Sequence, residues 1–147
     1  MGRKCDAETY AALVGRLRAA MPSVALSTDV IVGFPGESEE DFAETERLCR
    51  ESGFMKLHVF PYSRREGTPA AARPDQVDAA TKQARARRLR TLSDELRRAD
   101  FNSRLHTTEE AIAEEDGWGT TESYHRVHLG RDVAPGDLVP YTFKMLQ

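Results

Sequence analysis

The sequence predicts an α/β fold that is followed by a small all-β module. Three observations support this prediction. The first half of the chain alternates between helical and strand-like patterns, in the order helix, strand, helix, strand. Its clearest strand, Val30-Ile31-Val32, is continuously apolar, which is typical of a strand covered on both faces. Beyond residue 105, turn residues separate short segments that are rich in β-forming residues.

The composition of the 147-residue chain excludes several classes of protein. Its formal net charge is -3, which argues against a uniformly basic surface but allows a local basic face. No apolar run reaches the length of a bilayer span, and no signal peptide follows Met1. The two cysteines, Cys5 and Cys49, are too few for a disulfide framework or a zinc site. We therefore expect a cytoplasmic protein without membrane partners.

A helix and a strand open the chain. Four apolar residues recur at spacings of three and four, which predicts a helix that ends at Pro22. They are Tyr10, Val14, Leu17 and Met21. A strand follows over residues 24–32, and Gly33-Phe34-Pro35-Gly36 ends it.

The second helix has clear start and stop signals. Ser38 is a helix N-cap residue, and Asp41 lies at the spacing of a capping box. Gly53 suits the C-cap, and a second strand follows over residues 54–60, ending at Pro61. The inward-facing stripe of the helix is Phe42, Thr45 and Cys49. A strand, a helix and a strand joined by short loops predict a crossover unit with two parallel strands.

One such unit does not complete a sheet. Two parallel strands cannot cover their own edges, so we expect further strands to come from sequence upstream of Met1. Residues 1–76 are therefore predicted to be the end of an α/β domain.

A loop over residues 62–76 precedes a long helix over residues 77–105. Within residues 77–104, eight basic residues stand against four acidic ones, so the helix is basic although the chain is acidic. Its predicted buried stripe is Leu89, Leu92, Leu96 and Ala99. We interpret residues 77–105 as a connecting helix and residues 106–147 as a separate β module of three or more strands.

Two strand ends are the first candidates for a binding site. Gly33 and Gly36 follow the first strand, and ligands of α/β folds bind at the carboxyl ends of strands. Tyr62, Ser63 and Arg65 follow the second strand and would converge on the same edge, which suits a nucleotide or a phosphate-bearing substrate. A tight turn without a ligand is the alternative that the spacing of the glycines favours, and a solvated surface loop is the alternative for the arginine-rich segment.

No metal site is predicted. His125 and His128 lie three apart on a predicted strand, so their side chains point to opposite faces.

An RNA surface is the second candidate. The basic helix supplies Arg85 and Arg88, and the β module supplies aromatic and basic residues for stacking and phosphate contact. The residues of the β module are Trp118, Tyr124, Arg126, Tyr141 and Lys144. A merely solvated face of the helix is the alternative.

Several segments together resemble the radical S-adenosylmethionine methylthiotransferases that modify tRNA. They are MGRK at positions 1–4, DVIVGFPGE at 29–37, EDF at 40–42, FPYSRREGTPAA at 60–71 and DQV at 75–77. GTTESY at 119–124 and GDLV at 136–139 resemble the TRAM module, a small RNA-binding β-barrel. KLHVFPYS at 56–63 is most similar to the branch that acts on threonylcarbamoyladenosine beside the anticodon.

The resemblance implies a fold, a substrate and a nucleotide site. The two strands would be the last of an open (β/α)6 radical-enzyme barrel, followed by a TRAM-like barrel, and the substrate would be tRNA. Ile31 and Gly33 would border the adenine of S-adenosylmethionine, with Val59 and Phe60 packed near it. Ser63 and Arg65 would face the mouth of the active site.

The chain departs from the family in its cysteines. The family holds a 4Fe-4S cluster with a Cys-x-x-x-Cys-x-x-Cys run and carries a second cluster in an N-terminal domain. Cys5 and Cys49 match neither set of ligands, so we expect this chain alone to lack methylthiotransferase activity. Three interpretations stay open: an incomplete part of a tRNA-modifying enzyme, a stand-alone RNA-binding protein, or a subunit that pairs with a separate cluster-bearing chain.

Overall fold

The structure is a computed structural model that describes residues 6–145. The MGRK segment and Cys5 lie outside the described residues. The helices are α1 (Ala7–Ala20), α2 (Glu39–Ser52), α3 (Pro69–Ala72) and α4 (Ala79–Ser103). The strands are β1 (Ser27–Val32), β2 (Lys56–Pro61), β3 (Thr108–Ala113), β4 (Trp118–Thr121), β5 (Arg126–His128) and β6 (Leu138–Thr142).

The chain divides into two compact units, and the division falls inside helix α4. The first unit ends at Arg97 and the second begins at Arg98. The mixed α/β class is confirmed, with strands β1 and β2 in one sheet and β3 to β6 in another. Within residues 6–145, every helix is too short or too polar to cross a lipid bilayer.

The first unit contains the predicted crossover. Strands β1 and β2 pair in parallel, with Ile31 opposite Phe60 and Val32 opposite Pro61. Both carboxyl ends therefore lie at one edge of the sheet, as predicted. Strand β2 is also hydrogen-bonded to α4: the Leu57 N–H donates to the buried Ser93 Oγ at 2.9 Å.

The capping signals of α2 are confirmed. The Asp41 N–H donates to the Ser38 side chain, and the Ser38 N–H donates to the Asp41 carboxylate, so the capping box is complete. Gly53 ends the helix in the left-handed conformation, with φ of 60°. Phe42 and Cys49 are buried as predicted, while Thr45 is half-buried.

Two predicted helices differ from the structure in detail. Helix α1 ends at Ala20, so Met21 is the C-cap residue and is exposed. Helix α4 begins at Ala79 because Asp78 caps it, accepting from the Thr81 N–H at 2.9 Å. Leu89 and Leu92 are buried as predicted. Ala99 is exposed, so the prediction that it belongs to the buried stripe was wrong. The predicted loop over residues 62–76 also contains the short helix α3, which was not predicted.

The second unit contains a four-stranded antiparallel sheet in the order β5-β4-β3-β6. The expected three or more strands are thus confirmed. Within the described residues, no ladder joins the edge strands β5 and β6, although residues of β5 and β6 line one groove. Closure into a barrel stays a prediction.

Candidate functional site

The turn after β1 is held by a buried ion pair. The Gly33 N–H donates to Glu37 Oε2 at 2.7 Å, and Arg85 Nη1 donates to the same oxygen at 2.6 Å. Arg85 also donates to the Glu37 backbone carbonyl at 3.0 Å. Because Arg85 is only 5% exposed, its guanidinium belongs to the interior of this unit.

The spaces beside the two glycines of this turn are filled by the protein itself. A Cβ on Gly33 would lie 2.1 Å from Lys82 Cγ, and Gly33 has a φ of +69°. A Cβ on Gly36 would meet the side chains of Arg73 and Asp75, and the Gly36 N–H donates to the Asp75 carbonyl at 2.9 Å. These contacts by themselves explain why glycine is needed at both positions, and no bound ligand is required to account for it.

The parallel sheet of the first unit has a covered face and an open face. Val30, Val32, Leu57 and Val59 face the helical core. The alternate residues form the open face, which we define as Ser27, Asp29, Ile31, Lys56, His58 and Phe60. Ile31 and Phe60 are direct neighbours there, and Phe60 is 51% exposed.

The candidate nucleotide residues therefore divide between environments. Ile31 and Phe60 lie together on the open face, whereas Val59 packs on the opposite face. Ser63 and Arg65 lie in an exposed loop at the same edge of the sheet as Gly33. The ring of Tyr62 packs edge-on against Phe34, with 5.2 Å between centroids, and so joins the two strand ends.

The described residues offer no set of cluster or metal ligands. Within residues 6–145, no group of three His, Cys, Asp or Glu side chains is arranged to hold a metal ion. Cys49 is buried, and burial together with the charge of Glu46 raises the pKa of its thiol to about 11. A thiol with this pKa is not poised to act as a thiolate ligand or nucleophile.

The basic residues of α4 differ in how they are engaged. Arg88 pairs with Glu39 and Glu46, and the Lys82 ammonium donates to the Tyr62 carbonyl at 3.2 Å. Arg87 and Arg90, by contrast, are exposed. Burial and pairing of this kind are not visible in the sequence, where all eight basic residues look alike.

The β4–β5 hairpin gathers aromatic and basic side chains on one surface. Trp118 pairs across the ladder with His128, and their rings meet edge-on at 5.5 Å. The Arg126 guanidinium carbon lies 5.0 Å from the centroid of the Trp118 ring. Tyr124 lies in the hairpin turn and is 70% exposed. His128 was missed as a candidate, although the strand alternation that separates it from His125 could have placed it beside Trp118.

Lys144 lies apart from the hairpin but shares a groove with His128. The groove has a volume of about 380 Å³, and its lining also includes Tyr141 and Thr142. Tyr141 itself is buried at the sheet core. Arg126 and Lys144 are therefore both exposed residues of the second unit.

A buried polar network lies on the other side of this sheet. Asp100 Oδ2 accepts from Arg104 Nε at 2.7 Å and is 2.8 Å from His125 Nε2. Arg104 also donates to Glu109 at 2.8 Å, and Glu109 accepts from the Ser123 hydroxyl at 2.6 Å. Burial raises the pKa of the Asp100 carboxyl, but the bonds from His125 and Arg104 outweigh it and leave the pKa below its ordinary value.

Comparisons with known proteins agree with the motifs of the chain. No protein-family model matches it. The chain is nevertheless similar over most of its length to curated tRNA methylthiotransferases, as its motifs predict.

Three of these relatives are informative. The threonylcarbamoyladenosine tRNA methylthiotransferase MtaB of Bacillus subtilis (strain 168) is 45% identical over 122 residues, which is 83% of this chain and 27% of that relative. The tRNA-2-methylthio-N(6)-dimethylallyladenosine synthase of Corynebacterium urealyticum is 36% identical over 154 aligned positions, covering 97% of this chain and 28% of that relative. The synthase of the same name from Bacillus velezensis is 50% identical over 96 residues, or 65% of this chain and 19% of that relative. The chain therefore spans about a quarter of the length of the first two relatives.

Proposed function

We propose that the chain is the C-terminal segment of a radical S-adenosylmethionine tRNA methylthiotransferase. The observation that carries the proposal is 45% identity to MtaB over 83% of the chain. In this proposal the first unit contributes the last strands beside the nucleotide, and the second unit contacts tRNA. The substrate of the threonylcarbamoyladenosine branch is favoured by the KLHVFPYS segment at 56–63. The chain is similar to relatives named for both substrates, at 45% and 50% identity.

The open face of the β1–β2 sheet suits the nucleotide. Ile31 and Phe60 are side by side on it, and together they offer an apolar surface on which an adenine ring can pack. Bound S-adenosylmethionine would supply the reactive sulfonium of the family chemistry, and Ile31 and Phe60 would hold and orient its base. Val59 supports the strand from the opposite face, because it packs on the helical core.

A cluster does not fit the residues of this chain. Its two cysteines are 44 positions apart and do not form the three-cysteine run, and Cys49 is a buried thiol. The 147-residue chain by itself is therefore expected to methylthiolate no tRNA. The cluster ligands must come from residues outside it, in the same polypeptide or in a separate subunit.

The nucleotide assignment is tested in the complete enzyme that carries this segment. Ile31→Asp places a charge beside Phe60 and should abolish S-adenosylmethionine binding in a calorimetric titration. Ser27→Asp is the matched control, because it adds the same charge to the same face about 13 Å away along β1. Unchanged affinity in Ile31→Asp, or equal loss in both variants, would overturn the assignment.

A stand-alone RNA-binding protein is the second candidate. The exposed aromatic and basic side chains of the β4–β5 hairpin favour it. This candidate predicts that the isolated chain is a well-behaved monomer that binds tRNA in a salt-dependent way. A subunit of a split enzyme is instead expected to form a hetero-complex and no stable monomer, so size-exclusion chromatography of the isolated chain separates the two.

A further inference from the structure

We propose that Trp118, Arg126 and His128 form a stacking site for one unpaired nucleobase of an RNA. We call these three residues the Trp118 platform. The proposal rests on the RNA-binding role proposed above, and it assigns that role to a particular surface and a particular kind of contact.

The platform is built by the ladder of the β4–β5 hairpin. Trp118 lies opposite His128, and Arg126 lies opposite Thr120, two positions along β4. All three platform side chains therefore leave the sheet on the same face. The residues between them, Gly119 and Val127, are buried, and the Val127 side chain lies on the opposite face. A hairpin of this kind fixes the spacing of the three planar groups.

Trp118 remains 39% exposed in spite of its neighbours. The guanidinium of Arg126 lies above its ring, and the imidazole of His128 meets its edge. An exposed tryptophan flanked by a guanidinium and an imidazole is well suited to a nucleobase, because bases stack on indole and on guanidinium alike. The exposed part of Trp118 and the exposed side chain of Arg126 are therefore the surfaces on which a base would stack.

A groove connects the platform to a second cation. His128 belongs to the platform and also lines the groove of about 380 Å³ that contains Lys144. A strand whose base stacks on Trp118 can therefore direct a phosphate along this groove to the Lys144 ammonium. Val133 and Val139 give the groove apolar walls that accept a ribose or a second base.

The charge of this unit makes the contact depend on stacking more than on phosphate attraction. Residues 98–147 contain five Arg and Lys against nine Asp and Glu. One of these carboxylates, Glu114, lies 3.7 Å from the Arg126 guanidinium. We therefore expect platform binding to be less sensitive to salt than ordinary phosphate-led binding.

The same face also bears Ile112 and Leu138, which are exposed and opposite one another on β3 and β6. A protein partner would use this whole apolar row, whereas a nucleobase uses only the platform. Leu138→Ala separates these possibilities and serves as the matched control, because it removes an exposed apolar side chain from the same face.

The chain offers a direct readout, since Trp118 is its single tryptophan. The full chain is titrated with an unstructured oligoadenylate RNA of about 12 nucleotides, a length within the usual site size of a single-strand-binding module, following both indole fluorescence and the anisotropy of labelled RNA. We expect the RNA to quench Trp118, and Trp118→Ala to weaken RNA binding about 5- to 100-fold, as the loss of one base stack does. Trp118→Phe keeps an aromatic ring and should retain most of the affinity, and Leu138→Ala should retain all of it. Circular dichroism confirms that the variants are folded.

The outcomes distinguish this proposal from the proposed function. If neither the oligoadenylate nor tRNA binds the wild-type chain, the RNA role of the isolated chain fails, and the platform fails with it. If RNA binds without quenching Trp118 and Trp118→Ala binds as well as wild type, the platform alone is overturned. Equal loss in Leu138→Ala and Trp118→Ala would assign the face to a broader, protein-type contact and would also overturn the platform.

Discussion

Glu37 accepts several hydrogen bonds inside the first unit, through both its carboxylate and its backbone carbonyl. It accepts from the Gly33 N–H and from Arg85, and its carbonyl accepts a further bond from Arg85. Both side chains of the pair are nearly buried, with exposures of 6% for Arg85 and 11% for Glu37. The Glu37 carboxylate therefore links the turn between β1 and α2 to helix α4 inside the first unit.

Removing this carboxylate should destabilise the first unit. Glu37→Ala removes the buried carboxylate that pairs with Arg85 and leaves the guanidinium with the Glu37 backbone carbonyl and the more exposed Glu39 at 3.5 Å. Breaking one side of a buried pair costs about 3–5 kcal/mol. We expect the free energy of unfolding in urea to fall by that amount, monitored by circular dichroism. Glu44→Ala removes a carboxylate from the exposed pair with Arg47 and should cost less than about 1 kcal/mol. Similar losses in both variants would contradict the interpretation of Glu37.

At the scale of elements, the second unit depends on carboxylates held ionised inside it. Burial by itself would raise the pKa of Asp100, but bonds from His125 and Arg104 outweigh burial and lower it. The pKa of Glu109 is lowered in the same way, because bonds from Ser123 and the charge of Arg104 outweigh burial. These interactions join the last turns of α4 to β3 and to the β4–β5 hairpin.

The sign of the resulting pH dependence follows from these directions. The ordinary values are 3.8 for Asp100 and 4.5 for Glu109, and the folded pKa of each is lower. The stabilisation is therefore complete above about pH 4.5 and is lost as the pH falls through the lowered folded values.

An acid titration tests this network. We expect urea unfolding followed by Trp118 fluorescence to show that the second unit loses stability as the pH falls from about 4.5 to about 3. An Asp100→Asn, Glu109→Gln double variant should be less stable at about pH 7 but should lose less on acidification. The prediction fails if the double variant loses as much stability as the wild type over the same interval.

At the scale of the whole molecule, the basic and acidic residues are unevenly distributed. Residues 1–97 hold 16 Lys and Arg against 15 Asp and Glu, whereas residues 98–147 hold five against nine. On α4, Arg87 and Arg90 are exposed at a spacing of three, so they share one side of the helix. These two arginines are therefore the residues of the first unit that we expect to contribute phosphate contacts alongside the second unit.

The salt dependence of tRNA binding measures this contribution. For an Arg87→Ala, Arg90→Ala double variant, we expect the slope of log affinity against log salt to become shallower by about 2. Arg47→Ala is the matched control, because Arg47 is an exposed arginine that already pairs with Glu44. An unchanged slope in the double variant would remove these two arginines from the RNA surface.

The candidate site illustrates how far the sequence alone can lead. The parallel register places Ile31 beside Phe60, as two adjacent strand ends predict. Charge alone favours Arg85 and Arg88 as RNA contacts. In the structure Arg85 is buried against Glu37 and Arg88 is paired with Glu39 and Glu46, so neither supplies a free cation. The sequence spacing does not show which side of the helix packs inward.

The sequence by itself determined the order of helices and strands, because that order depends on interactions between residues that are close together in the chain. Ser38, Asp41 and Gly53 fix the ends of α2 through bonds to nearby backbone groups, and such short-range effects can be read from adjacent residues. Contacts between distant residues decided the rest. Lys82 fills the space beside Gly33, and Asp100 meets His125 across 25 positions of sequence. These partners depend on how helices and sheets pack, because burial and pairing arise only when segments far apart in the chain are brought together.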